Sequence, residues 1–270
     1  MVLFDRSRKT VIAMAHIGAL PGSPLYNADR GMDGLIEDVA RDIEALQSGG
    51  VDAIMFGNEN DRPYELTAST ESVAAMTAVV AALKPALKVP FGVNYLWDPS
   101  ATVAIAVATG ASFAREIFTG VFASDMGLWA PNAAKALRLR RALARPDLKL
   151  MFNVNAEFAS SLDSRSIALR ARSAVFSSLA DVILVSGPLT GQPVEVSNLA
   201  SVREVLPDTP LLANTGVNLD NVEGIFAHAD GCVIGTHFKR GGDTWNPVDG
   251  ERVRRFMDKV RSLDRSRTSS

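Results

Sequence analysis

His16, Glu59, Glu116 and Asp125 are the side chains of this sequence best suited to moving a proton. Imidazole and carboxylate act as general acids or bases when their surroundings bring the pKa near the working pH. The three carboxylates are also hard oxygen ligands, suited to a divalent cation such as Mg²⁺. Plainer roles stand beside these: His16 as a capped or core imidazole, and the carboxylates as partners of Arg62 or Arg115. A second group points to binding. Asn94, Asn153 and Asn155 carry amides that both donate and accept, which suits the hydroxyls of a sugar or polyol. Arg115 stands among them as a further substrate contact. Asn214-Thr215-Gly216 and Gly235-Thr236 place small residues where a backbone can approach an anion closely. Ser186-Gly187 offers a third such turn, and Lys239 would add positive charge.

Other chemistry is poorly supplied. With one cysteine (Cys232) and three histidines (His16, His228, His237), a Cys/His zinc site lacks ligands and no internal disulfide can form. That usage fits a reducing cytoplasm. No lysine ends a strand, since Lys149 begins one, so a Schiff-base mechanism has no nucleophile. The Gly-x-Gly-x-x-Gly fingerprint of dinucleotide binding is absent. A net charge of −2 exerts no pull toward nucleic acid or an anionic membrane. Residues 1–10 lack the apolar centre of a signal peptide, and no apolar run reaches the roughly 20 residues of a membrane span.

The elements that must position these residues alternate in type. Short apolar runs at 11–16, 53–56, 91–94, 113–117, 148–153, 182–185, 211–214 and 231–235 read as strands. Amphipathic or alanine-rich stretches at 32–48, 71–83, 100–109, 132–144, 165–179, 196–206, 219–226 and 251–263 read as helices. Continuous apolar strands suit a parallel sheet covered on both faces. Eight strand–helix pairs without a linker predict an α/β fold, a closed (β/α)₈ TIM barrel. Residues 1–263 form its single domain and 264–270 a polar, frayed tail. Function in such barrels collects just past the strands. Every chemical candidate above lies there, as do Asn58, Asn60, Asp61 and Glu157. The opposite strand ends carry ordinary turn residues such as Lys88, Asp147 and Asp181. The polar loop 239–249 is placed to cover the pocket mouth, with Asp249 capping the last helix.

Several segments together resemble the BtpA/SgcQ family. They are Ala15-His16-Ile17-Gly18-Ala19-Leu20-Pro21-Gly22-Ser23-Pro24, Gly50-Val51-Asp52-Ala53-Ile54-Met55 leading to Asn58-Glu59-Asn60-Asp61, Gly92-Val93-Asn94, Ala108-Thr109-Gly110-Ala111 and Asp125-Met126-Gly127-Leu128. Later segments are Val185-Ser186-Gly187-Pro188-Leu189-Thr190-Gly191, Gly235-Thr236-His237-Phe238-Lys239 and Trp245-Asn246-Pro247-Val248-Asp249. The resemblance implies a barrel similar to the ribulose-phosphate-binding group. One branch is named for photosystem I biogenesis, and another belongs to a gene cluster resembling sugar uptake and catabolism. The chain departs from the family at Gly57-Asn58-Glu59-Asn60-Asp61, where Glu-Asn-x-x-Asp is usual, and at His237, where a small residue is usual.

Two kinds of function follow. The first is an enzyme acting on a small phosphorylated sugar or polyol, by isomerisation, epimerisation or lyase chemistry without a Schiff base. The second is a binding protein, either an assembly or stability factor or a ligand sensor. A homo-oligomer would use the apolar helices near 74–83 and 103–108.

Overall fold

The computed structural model describes Leu3, Phe4, Arg6 and residues 8–268. Met1, Val2, Asp5 and Ser7, in the segment read for a leader, lie outside the described residues, as do Ser269 and Ser270.

Eight parallel strands close on themselves. In chain order the strands are β1 (Thr10–His16), β2 (Ala53–Gly57), β3 (Phe91–Asn94), β4 (Phe113–Glu116), β5 (Phe122–Ser124), β6 (Gly127–Trp129), β7 (Lys149–Asn153), β8 (Ala159–Ser161), β9 (Val182–Ser186), β10 (Leu211–Asn214) and β11 (Gly231–Ile234). The barrel runs β1-β11-β10-β9-β7-β4-β3-β2, with β2 paired back to β1. Around it stand α1 (Gly31–Gly49), α2 (Thr70–Leu83), α3 (Pro99–Thr109), α4 (Ala133–Ala142), α5 (Ile167–Ser178), α6 (Val196–Val205), α7 (Val222–Phe226) and α8 (Gly250–Thr268). The predicted barrel and its eight strand–helix pairs are therefore present. No helix among the described residues is long and apolar enough to cross a membrane.

Helix boundaries follow the local chemistry. Asp98 and Asn132 accept backbone N–H groups at the starts of α3 and α4. Gly50 and Gly110 end α1 and α3 in the left-handed conformation.

Side-chain alternation divides the core in two. Ile12, Met14, Met55, Phe113, Met151, Leu184, Leu212 and Val233 fill the barrel, whereas their chain neighbours pack under the helices. Phe113 is wholly buried, which contributes about 2–3 kcal/mol. Its ring explains Gly92: a Cβ there would lie 2.1 Å from it.

Three findings differ from the sequence reading. The long loop after β4 contains β5 and β6, which join β8 in an antiparallel sheet beside the strand tips. Phe122 and Trp129 from this sheet pack with Leu96, Trp97, Ile117 and Ala156 in a separate apolar cluster. Its strands are three residues each, too short to show a period. The expected tail is helical instead, because α8 continues to Thr268. The apolar residues proposed for a subunit interface, such as Val79, Val80, Val103 and Ile105, are buried within this chain.

Candidate active site

The strand parity that fills the barrel also builds a polar layer at its top. His16, Arg115, Asn153, Ser186 and Asn214 share the interior parity of their strands. Arg115 is held at three points: Nε donates to Asn153 at 3.1 Å, Nη1 to Asn94 at 2.7 Å and Nη2 to Glu157 at 3.2 Å. Glu157 also accepts from the Asn214 amide at 3.1 Å and the Thr190 hydroxyl at 3.0 Å. The Ser186 hydroxyl accepts from Asn153 and Asn214 at 2.7 and 2.8 Å. This network corrects the role expected of the amides. Asn94 spends its groups on Arg115 and Glu116, and Asn153 on Arg115 and Ser186, rather than on a ligand. Asn155 clamps the Ser186 backbone, accepting from its N–H and donating to its carbonyl.

Arg115 faces a small central cavity of about 50 Å³ that also exposes His16, Glu59, Tyr64 and Trp97. Of the five N–H donors of a guanidinium, Arg115 commits three to protein partners, leaving two for a ligand. Glu59 Oε2 is buried without a hydrogen-bond partner, and so is the Trp97 indole nitrogen. Burial pushes the Glu59 carboxyl up to about 7, against the pull of Arg115. Burial, and then the Lys239 ammonium, push His16 down to about 3. His16 Nε2 stands 3.7 Å from Glu59 Oε1. With the imidazole neutral, this contact is not an ion pair at pH 7. The central groups at neutral pH are thus a carboxyl poised to gain or lose a proton, a neutral imidazole and a fixed cation. Gly235 admits the imidazole, since a Cβ there would lie 2.8 Å from Nε2.

A second cavity, of about 180 Å³, adjoins the first. Gly191, Gly216, Gly235 and Thr236 line both. Its other walls include Val217, Asn218, His237 and Arg252. The two late glycine turns thus meet at one place, as expected. Thr215 and Gly216 both have positive φ, 68° and 62°. The Gly187 N–H is already given to the Thr215 hydroxyl at 2.8 Å, so Ser186-Gly187 supports the turn rather than the cavity. Sequence reasoning missed Arg252. Its signal was its position in the first turn of α8, three residues past the cap Asp249, whose carboxylate accepts the Glu251 and Arg252 N–H groups at 2.9 and 3.3 Å. Arg252 Nε donates to the His237 carbonyl at 2.7 Å.

Three candidates fall elsewhere. Lys239 is 2% exposed and paired with Asp42 at 2.6 Å, so its charge is spent beside α1. Glu116 has the opposite parity to Arg115 and leaves the barrel interior. It accepts from Asn94 at 2.9 Å, and burial pushes it up to about 8. Asp125 is exposed in the turn between β5 and β6. It lines neither of these cavities, because β5 and β6 carry it away from them. Among the described residues, no three His, Cys, Asp or Glu side chains group closely enough to hold a metal ion.

The sequence matches the BtpA family over residues 7–262. The chain belongs to this family. The putative sgc region protein SgcQ of Escherichia coli is 45% identical over 96% of this chain and 97% of its own. The photosystem I biogenesis protein BtpA of Synechocystis is 30% identical over 94% of this chain and 88% of its own. Among solved structures, the 7,8-dihydropteroate synthase of Vibrio fischeri superposes with a TM-score of 0.60 at 14% identity, covering 100% of this chain and 96% of that one. That likeness establishes the TIM-barrel fold for this BtpA-family member.

Proposed function

We propose that the chain is an enzyme acting on a small phosphorylated sugar or related polyol, moving a proton next to a carbonyl. The carrying observation is the shared wall between two unlike cavities. One holds Glu59, His16 and Arg115, and the other holds Arg252 and two glycine turns. The phosphate would lie with Arg252 and the backbone of Gly216, Gly235 and Thr236, and the reacting carbons would lie at Glu59. Glu59 takes the proton, and the fixed Arg115 steadies the negative charge that develops on oxygen. Isomerisation, epimerisation and lyase chemistry all use that step. A cytoplasmic location and a divalent cation such as Mg²⁺ belong to the same reading. Calorimetry with sugar phosphates, their neutral counterparts and inorganic phosphate, each with and without Mg²⁺, tests it. Binding of the phosphorylated compounds, lost in Arg252→Gln, is expected. Binding of neutral compounds alone would overturn the phosphate assignment.

An assembly role is the second reading, after the name of the Synechocystis relative. It is favoured by exposed apolar side chains on and beside α5, where Phe176 is 87% exposed with Leu169 and Leu179 at 51% and 62%. A ligand sensor would bind in the same cavities without turnover. Turnover of a bound sugar phosphate, abolished in Glu59→Gln, separates the enzyme from both.

A further inference from the structure

Arg252, the cation of the second cavity, is gripped along one edge. Its Nε donates to the His237 carbonyl at 2.7 Å, and its Nη2 stands 3.5 Å from Nδ1 of the same residue. Nε and Nη2 form one edge of the planar guanidinium. The other edge, Nη1 with Nη2, carries no hydrogen bond among the described residues. Such an edge presents two parallel N–H groups, the geometry that a phosphate accepts at two of its oxygens. Both residues line the cavity of about 180 Å³.

The His237 ring is held from the same helix as Arg252. It meets Phe256 of α8 edge-to-face, with centroids 5.8 Å apart at 63°. Phe256 is wholly buried and lies four residues past Arg252, on the same helix face. Phe238 adds a second aromatic contact at 6.2 Å. Burial, then Arg252, hold the imidazole below its ordinary pKa, with Arg255 adding to the fall and Asp220 opposing it. A neutral ring has one lone pair and one N–H. A guanidinium only donates, so Nδ1 carries the lone pair and Nε2 the hydrogen. Nε2 is buried without a hydrogen-bond partner. One ring nitrogen is thus left unsatisfied while the other serves Arg252.

We propose that His237 is a positioning residue for phosphate, its carbonyl and its Nδ1 lone pair together fixing Arg252 so that the Nη1–Nη2 edge is left for the anion. This rests on the reading of the second cavity as the phosphate site. The carbonyl alone would let the guanidinium pivot about the Nε–H bond. The second contact, at Nδ1, stops that rotation and keeps both donors of the outer edge aligned before the ligand arrives.

The test reads the ring and the ligand separately, in the full chain. Nitrogen-15 NMR of labelled histidine reports which ring nitrogen carries the hydrogen, and His237→Asn assigns the signals. At pH 7 Nδ1 is expected bare and Nε2 protonated. A hydrogen on Nδ1 would overturn the proposal. Calorimetry with inorganic phosphate then compares two variants. Asparagine sets its amide oxygen close to the place of Nδ1, whereas glutamine reaches the place of Nε2. His237→Asn is expected to bind phosphate as the native chain does. His237→Gln is expected to bind it about tenfold more weakly, the worth of one hydrogen bond to a charged group. A merely structural role would make the two variants alike, so equal affinities, both native or both weakened, would overturn the positioning role. If His237→Gln fails to fold, a weakened His237→Asn overturns the proposal and a native one supports it. A native chain that binds no phosphate overturns the phosphate reading beneath it, while the NMR result still decides the contact with Arg252.

Discussion

At the scale of single residues, Glu116 and Glu59 have opposite consequences although burial raises both. Glu116 folds with its pKa near 8 against an ordinary value of 4.5. The folded state therefore binds the proton more tightly, and stability falls as pH rises from 4.5 through 8. A glutamine keeps the acceptor for Asn94 and cannot ionise. Glu116→Gln is expected to match the native chain at pH 5 and to exceed it at pH 9 by on the order of 3 kcal/mol, measured by urea unfolding. Ligand binding should be unchanged, because Glu116 faces away from the cavities. Glu59→Gln is expected to show the same sign in stability, with its window ending near pH 7, but to abolish turnover. His16 acts in reverse: its lowered pKa makes the folded state resist protonation, so it withdraws stability as pH falls below 6.5. Arg115→Ala leaves Glu157 buried without its cation, a loss of about 3–5 kcal/mol in unfolding experiments.

At the scale of elements, the cavity proposed to take phosphate depends on where α8 begins. Asp249 caps that helix and sets the first turn that carries Arg252. Asp249→Ala should cost about 1 kcal/mol of stability. It should also weaken phosphate binding by letting the first turn fray, whereas Arg252→Gln should weaken binding with little change in stability. Calorimetry and thermal melting of the two variants separate these effects. The loop between β4 and α4 shows the converse. Its strand β5 pairs with β8 from the far side of β7, a contact between segments more than 30 residues apart. No local pattern announces such a pairing, and Asp125 was misplaced for that reason.

At the scale of the whole molecule, the chain's two ends meet below the barrel. The Lys9 N–H donates to the Asp264 carboxylate at 3.3 Å, and Lys9 Nζ donates to the Phe226 and Ala229 carbonyls at 2.6 Å each. A chain ending at Leu263, where the domain was expected to stop, is therefore predicted to lose about 1–2 kcal/mol. A native melting temperature for that truncation would show the last turn of α8 to be dispensable.

Much of the barrel was legible because each strand and helix carries its own local signature. The apolar runs, the Gly and Pro breaks and the count of eight pairs needed no tertiary contact to be read. Parity within the strands was legible too: Phe113 and Arg115 point one way, Ala114 and Glu116 the other. That parity separates Arg115 from Glu116. The sequence alone thus determined the fold and the meeting of its two late glycine turns. Only the folded chain decided which polar groups remain free there. Asn94, Asn153 and Lys239 are consumed by Arg115, Ser186 and Asp42, partners 21, 33 and 197 residues distant. Arg252 arrives from the last helix, and Glu59 owes its raised pKa to burial by surrounding loops. The physical reason is the same in each case. Secondary structure follows from nearby residues, whereas hydrogen-bond satisfaction and desolvation depend on every group that folding brings alongside.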